Sequence, residues 1–131
     1  MLTSTAVLGK ATIAGCEQSV PVARAFLDSI LGRGHPRGDV ARLLISELVT
    51  NAVQHTESRR PGGTVTLVVI DLAGGIRVEV SDGGSPRSVP VVRDDPGATD
   101  GRGLFLVQSL ADEWGYLCDG DGTTVWFRLG S

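Results

Sequence analysis

The segment ELVTNAVQH, residues 47–55, decides how the rest of the sequence is interpreted. Its polar residues Glu47, Asn51 and His55 recur at every fourth position, and a helix places residues at this spacing along one edge. Leu48 and its apolar neighbours have the spacing of a core-facing stripe beside that edge. On its own, this pattern also fits a solvated helix face. The apolar stripe and the glycine-rich chain beyond the helix favour a ligand site.

The elements predicted around this helix indicate an α+β fold. Because the helices are grouped and do not alternate with strands one for one, a doubly wound dinucleotide-binding fold is excluded. The order instead predicts a two-layer α/β sandwich, with one mostly antiparallel sheet and helices on one face. The predicted elements, in chain order, are a strand over 6–13, a helix capped by Ser19 and stopped by Gly32, a helix capped by Asp39 and ending near Glu57, strands over 64–72 and 76–81, a helix over 103–112, and strands over 114–118 and 123–129.

Length and composition exclude several classes of protein. The chain has 131 residues and a mass of 13.7 kDa, so a single domain over 1–131 is expected. Its net charge of -3 has the wrong sign for a protein that binds by neutralising phosphates, so no direct nucleic-acid partner is expected. No apolar run approaches the roughly 20 residues of a spanning helix, and the N-terminus lacks a secretion-signal pattern. These features predict a cytoplasmic protein without a membrane partner.

The cysteines and the glycines carry different information. Cys16 and Cys118 lack the C-x-x-C spacing, so neither a structural disulfide nor a zinc site is expected. The 18 glycines are about twice the usual share. Several of them bracket an irregular stretch over 82–100, and a loop of this length inside a small domain is typical of a functional segment.

The motif Asp82-Gly83-Gly84 directly follows a predicted strand. A carboxylate only accepts hydrogen bonds, so Asp82 suits an exocyclic amine such as that of adenine and repels the carbonyl of guanine. The two glycines allow the backbone to approach a flat ring without a side-chain clash. An ordinary Asp-Gly turn is the alternative interpretation.

Two further motifs lie later in the chain. The segment GRGL, residues 101–104, begins a predicted helix, where backbone N–H groups and the helix dipole favour phosphates. It matches neither the dinucleotide-binding fingerprint nor the Walker loop. The segment GTT, residues 122–124, begins the last predicted strand, where a hydroxyl completes an adenine pocket or merely belongs to a hairpin.

Together and in this order, the four segments resemble the motif boxes of the GHKL ATPase superfamily. This superfamily includes histidine-kinase catalytic domains, type II topoisomerase ATPase domains and heat-shock chaperone ATPases. The resemblance covers about residues 41–129 and implies a Bergerat-type ATP-binding fold with a lid over about 85–101. One departure is Pro86, which stands where the first glycine box, D-x-G-x-G, usually has its last glycine.

Within the superfamily, the compact size and the ending DGTTVWFRL resemble the small bacterial anti-sigma factor serine/threonine kinases, particularly the actinobacterial ATP-binding regulators. The resemblance implies ATP and Mg²⁺ as cofactors, with Asn51 as the metal ligand and Glu47 as the catalytic base. It implies that Asp82 selects adenine and that His55 supports the pocket and does not bind metal. Arg102 either neutralises phosphate charge or is a solvated lid residue. The other nucleotide-binding positions that the resemblance implies are Gly84, Gly101, Gly103, Leu104 and Thr123.

The resemblance also implies protein partners. The kinase would phosphorylate an anti-sigma-factor antagonist, and the dephosphorylated antagonist would compete with a sigma factor, so that transcription is regulated by partner switching. The alternative is a nucleotide-dependent binding module that sequesters a regulator without phosphoryl transfer. A histidine kinase domain acting in trans is less favoured, because neither His35 nor His55 has the setting of a phosphoacceptor. The apolar stripe of the first helix fits either a homodimer interface or plain core.

Overall fold

The computed structural model describes residues 6–55, 63–82, 102–119 and 122–130. Within these ranges the chain forms three helices and five strands in the predicted order. The predicted lid at 85–101 and the predicted last residues of the second helix, 56–57, lie outside the described residues. The elements in chain order are β1 (Ala6–Ala14), α1 (Ser19–Leu31), α2 (Gly38–His55), β2 (Thr64–Leu72), β3 (Gly75–Asp82), α3 (Arg102–Leu110), β4 (Glu113–Asp119) and β5 (Gly122–Gly130).

The described strands form one antiparallel sheet in the order β1-β2-β3-β5-β4. Successive side chains of a strand point to opposite faces of the sheet, and one face here is buried. For example, Val78 of β3 and Phe127 of β5 are cross-strand partners, and both are fully buried. The helices pack against that face, so the predicted α+β sandwich is confirmed.

The helix α2 occupies the middle of the helical layer. It packs on β2 and β3, with α1 on one side and α3 on the other. The flanking helices also contact the two edge strands, α1 on β1 and α3 on β4. Leu44, Leu48 and Ala52 of α2 are buried in the core, as their spacing predicts. None of these three helices is long and apolar enough to cross a membrane.

The helix starts differ from the sequence-based prediction. The prediction that Ser19 caps α1 is wrong, because Gln18 holds the cap position and makes no side-chain cap hydrogen bond. A turn before the helix explains this, since the N–H groups of Ser19 and Val20 donate to the carbonyls of Cys16 and Glu17 at 3.0 and 3.2 Å. The helical turn therefore begins before Ser19 and leaves Ser19 inside the helix. The prediction that Gly32 ends α1 is confirmed by its φ of 76° and its N–H bond to an earlier carbonyl. Asp39 lies inside the first turn of α2.

Connecting segments close the end of the sheet where β5 stops. Gly74 turns the chain from β2 to β3 with a φ of 83°, a conformation that favours glycine. Asp112, between α3 and β4, donates its N–H to the carbonyl of Arg128 and accepts the N–H of Gly130 with its carboxylate. Arg37 also donates to the Gly130 carbonyl, at 3.3 Å. These bonds hold the C-terminal end of α3 at this end of the sheet.

Candidate functional site

The C-terminal half of α2 directs Glu47 and Asn51 away from α1. The flank of α2 that faces α1 is marked by Arg42, whose Nε donates to Asp28 of α1 at 2.9 Å. Asn51 follows Arg42 by about two and a half helical turns, so it lies on the opposite flank. Glu47 lies one turn before Asn51 on the same side. Both residues therefore belong to the side of α2 on which α3 packs.

The polar groups of these two residues are open to a ligand. Both side chains are half-buried. Neither forms a hydrogen bond or an ion pair with any residue in the described part of the chain. The carboxylate of Glu47 is a hydrogen-bond acceptor, and the amide of Asn51 supplies an acceptor oxygen and two N–H donors.

The ends of two adjacent strands form the floor below this flank. Asp82 is the last residue of β3, and its cross-strand partner is Thr123 near the start of β5. Because Val80 and Val125 are buried, strand alternation puts Asp82 and Thr123 on the same helix-facing side of the sheet. Thr123 is only 7% exposed, and Asp82 is half-buried. Asp82 therefore belongs to a strand, whereas the sequence predicted it as the first residue of the loop.

Asp82 and the last turns of α2 lie at the same end of the domain. Val65 pairs with Asp82 on one side and with the end of β1 on the other. The chain that leaves β1 then forms a surface cavity together with the last turns of α2, lined among others by Cys16 and Val53. The end of β1, the start of β2 and the end of β3 thus meet the part of α2 that carries Asn51. Among the residues that the structure describes, none of the predicted site side chains lines this cavity.

The helix α3 is directed at the same end. Its C-terminal end is fixed through Asp112 where β5 stops, so its N-terminus points toward the end where β5 begins. The first helical residues are Arg102 and Gly103, as the glycine motif predicts to within one residue. The free N–H groups and the dipole at a helix start favour anions. This end of α3 is therefore suited to phosphate groups.

The structure thus brings four predicted site residues to one end of the domain. Glu47 and Asn51 lie on the α3-facing flank of α2, and Asp82 and Thr123 lie on the helix-facing side of the sheet. Gly84 and Gly101, and the side chains of His55, Arg102 and Leu104, lie outside the described part of the chain. The functional roles of all these residues remain predictions.

Two contacts at the floor were not found by sequence reasoning. The hydroxyls of Ser81 and Thr124 are 2.7 Å apart on the opposite face of the sheet. The hydroxyl of Thr123 donates to Cys118 Sγ of β4 at 3.6 Å. Strand alternation indicates which residues share a face, but the pairing of β3 with β5 was needed to bring these side chains together.

Family comparison assigns this arrangement to a class of protein. A family model described as a histidine kinase-like ATPase domain matches residues 14–129. The chain therefore belongs to the histidine kinase-like ATPase family, and the resemblance to the GHKL superfamily is confirmed. The matched region contains all four predicted motifs. A search of curated protein sequences finds no match to the chain.

Two solved proteins are similar to the chain in structure. The structure of the RsbU and RsbW domains of Rv1364c from Mycobacterium tuberculosis matches with a TM-score of 0.66 and 23% identity, covering 93% of this chain and 32% of that chain. This likeness shows the shared fold. The histidine kinase domain of the blue-light activated histidine kinase EL346 from Erythrobacter litoralis matches with a TM-score of 0.55 and 28% identity, covering 87% and 60%. The chain thus spans about a third to three fifths of the solved chains it matches.

The donor groups at this end fit a magnesium nucleotide. Mg²⁺ takes oxygen ligands and completes its octahedron with phosphates and water, so one amide oxygen from Asn51 is a sufficient protein ligand. The carboxylate of Asp82 offers acceptors for an amine. The start of α3 offers N–H groups for phosphates. ATP binding, which membership of this ATPase family implies, is therefore consistent with the residues present.

Proposed function

We propose that the chain is an ATP-dependent serine/threonine protein kinase of the anti-sigma-factor type, folded as one domain over 1–131. It phosphorylates an antagonist protein and regulates transcription through partner switching. The observation that carries the proposal is the pair Glu47 and Asn51, one helical turn apart, half-buried and unpaired within the described residues. The family supports the kinase-like ATPase class. The fold likeness to the RsbW-containing structure supports the finer assignment.

Asp82 and Thr123 recognise the base in this proposal. The carboxylate of Asp82 accepts a hydrogen bond from the exocyclic amine of adenine and disfavours the guanine carbonyl. Thr123 is its cross-strand partner on the same face, so its hydroxyl can contact the same ring edge. Gly84 lets the backbone approach the ring.

Asn51 and the start of α3 hold the phosphates. The Asn51 oxygen binds Mg²⁺, which neutralises phosphate charge when bound. Backbone N–H groups around Gly101, Gly103 and Leu104 bind the phosphate oxygens. Arg102 either adds a positive charge there or is solvated, and the loss or retention of phosphate transfer in an Arg102→Gln variant separates the two.

Glu47 activates the acceptor. Its carboxylate accepts the proton of a partner's serine or threonine hydroxyl as that oxygen bonds to the γ-phosphorus. The bond from the γ-phosphorus to the bridging oxygen breaks, and ADP leaves. A positioned base contributes about 10²- to 10⁴-fold to the rate. Positioning and electrostatic stabilisation supply the rest, as is usual for phosphoryl transfer.

The test is phosphate transfer from γ-labelled ATP with Mg²⁺ into host-lysate proteins, with labelled species identified by mass spectrometry. We expect the wild type to label a serine or threonine of a small antagonist protein and Glu47→Ala to lose this labelling while still binding ATP. Thr50→Val is the matched control, because Thr50 is also half-buried on α2 but bonds back to Ser46. Intact ATP binding without any transfer by the wild type would favour the alternative, a binding module that sequesters a regulator.

A further inference from the structure

A hydroxyl pair braces the sheet directly behind the proposed base-recognition residues. Ser81 and Thr124 are cross-strand partners on β3 and β5, and their hydroxyls are 2.7 Å apart. Both side chains are half-buried, on the face of the sheet opposite the helices. Each is the chain neighbour of a residue in the floor, Ser81 of Asp82 and Thr124 of Thr123.

The hydroxyl pair of Ser81 and Thr124 lies next to the rung of Asp82 and Thr123, where it can influence the spacing of these two residues. The rung of Asp82 and Thr123 is the last rung between β3 and β5 at this end within the described residues. No hairpin turn joins these two strands, because the chain passes through α3 and β4 between them. Each residue of the rung is also paired on its other side, Asp82 with Val65 of β2 and Thr123 with Cys118 of β4. The hydroxyl bond between Ser81 and Thr124 therefore acts on the spacing between β3 and β5 from the adjacent rung.

We propose that Ser81 and Thr124 are positioning residues for the recognition of a purine with an amine at the 6-position, such as adenine. Their hydrogen bond holds the backbones of β3 and β5 at the spacing at which Asp82 and Thr123 contact one ring. This inference rests on the proposed function, since it takes the base recognition by Asp82 from it. Neither hydroxyl touches the nucleotide, because strand alternation directs both to the other face.

The same row of the sheet supplies a matched control. Thr12 of β1, Thr66 of β2, Ser81 and Thr124 are aligned across four strands. The hydroxyls of Thr12 and Thr66 are 3.5 Å apart, so they form a longer contact two strands away from the floor. Loss of the Thr12 hydroxyl thus removes a similar group on the same face without loosening the rung of Asp82.

The experiment compares ATP with inosine triphosphate, which has a carbonyl where adenine has the amine. Binding of each with Mg²⁺ is measured by calorimetry for the full chain and for Thr124→Val, Ser81→Ala, the double variant and Thr12→Val. We expect the first two variants to bind ATP about 3- to 10-fold more weakly, the range for one lost internal hydrogen bond. Inosine triphosphate affinity should change less than ATP affinity, so that the preference for ATP narrows. The double variant should lose no more than either single one.

Further variants separate positioning from mere stabilisation. Ser81→Thr and Thr124→Ser retain a hydroxyl and should restore the preference for ATP, and Thr12→Val should leave it unchanged. Equal losses for both nucleotides, or an unchanged preference in Thr124→Val and Ser81→Ala, would overturn the positioning role. Asp82→Asn distinguishes this failure from failure of the proposed function. If Asp82→Asn leaves the preference for ATP unchanged, the base assignment is wrong and the positioning proposal falls with it.

Discussion

Both flanks of α2 carry half-buried polar side chains, but the two flanks differ in whether those side chains are hydrogen-bonded within the described residues. On the flank toward α1, Arg42 donates to Asp28 of α1 at 2.9 Å. One turn later on this flank, Ser46 donates its hydroxyl to the Arg42 carbonyl at 2.7 Å. On the outer side of the helix, between the two flanks, Thr50 donates to the Ser46 carbonyl at 2.8 Å. On the flank toward α3, Glu47 and Asn51 also lie one turn apart, yet within the described residues neither side chain has a partner.

This difference distinguishes polar side chains that stabilise the fold from polar side chains that are open to a ligand. All five side chains, Arg42, Ser46, Thr50, Glu47 and Asn51, are half-buried, so exposure does not distinguish the flanks. The flank toward α1 satisfies its polar groups within the protein, partly through helix back-bonds of the kind that serine and threonine often make. The carboxylate of Glu47 and the amide of Asn51 are left open to a ligand, as the proposed function requires.

The largest effect is expected from removing the proposed base, Glu47, on the flank of α2 that faces α3. Glu47→Gln should lower the rate of phosphoryl transfer by about 10²- to 10⁴-fold, because the amide cannot accept the hydroxyl proton. ATP affinity should change little, since the proposed role of Glu47 lies in the chemical step. Single-turnover transfer to the identified antagonist, together with calorimetry of ATP binding, measures both quantities.

Thr50→Val is the comparison for this variant, because the Thr50 hydroxyl is bonded within the helix. It removes a half-buried hydroxyl from the same helix, and its transfer rate should match that of the wild type. Equal rate losses in Glu47→Gln and Thr50→Val would remove the specific catalytic role from Glu47.

The second effect extends the comparison from α2 to the sheet below it. Asp82→Asn should weaken ATP binding by about 10- to 100-fold, the range for a hydrogen bond to a charged group. The reason is that the neutral amide oxygen accepts a weaker hydrogen bond from the adenine amine than the charged carboxylate does, while the amide NH2 has no acceptor on that amine. Calorimetry at fixed Mg²⁺ measures the change. Unchanged affinity would remove adenine recognition from Asp82.

The third effect concerns Asn51, the proposed metal ligand on the flank of α2 that faces α3. Asn51→Ala should reduce the gain in ATP affinity that Mg²⁺ provides by about tenfold or more. Binding measured in a chelator should be nearly the same as for the wild type, because no metal is then held. A variant that keeps the full Mg²⁺ dependence would exclude Asn51 as the ligand.

Local patterns in the sequence predicted most of the fold. The run Thr64–Leu72 was predicted with the same bounds as β2, because alternating β-branched residues and flanking glycines are local signals. The end of α1 at Gly32 was likewise predicted from a local signal, the glycine itself. The predicted cap at Ser19 was wrong because a turn over Cys16 and Glu17 starts the helix earlier, so that Gln18 holds the cap position. Whether such a turn precedes a helix depends on the conformation of the preceding chain, which the cap pattern does not report.

The site was predicted in part. The spacing of Glu47 and Asn51 placed them on one helix edge, but only the packing of α1 through Arg42 and Asp28 shows which helix that edge faces. The pairing of Asp82 with Thr123 joins residues about forty positions apart, and no local pattern reports such a contact. The hydroxyl bond between Ser81 and Thr124 depends on the same pairing of β3 with β5.

The smallest effect is expected from a substitution on the flank of α2 that faces α1. Arg42→Met retains the aliphatic stem but loses the bonds to Asp28 and Asp39, so it should lower stability slightly and leave ATP affinity unchanged. The hydrogen bonds that Arg42 donates, first to Asp28 and then to Asp39, raise the pKa of Arg42. A raised pKa keeps the guanidinium charged below that value, so the stability difference should stay constant as pH rises from 6 to 9. Urea denaturation at low and high salt measures the effect, which should shrink with salt because the side chains of Arg42 and Asp28 are partly exposed to solvent. A loss of ATP affinity in Arg42→Met that matched the loss in Asn51→Ala would contradict the division of α2 into a structural and a binding flank.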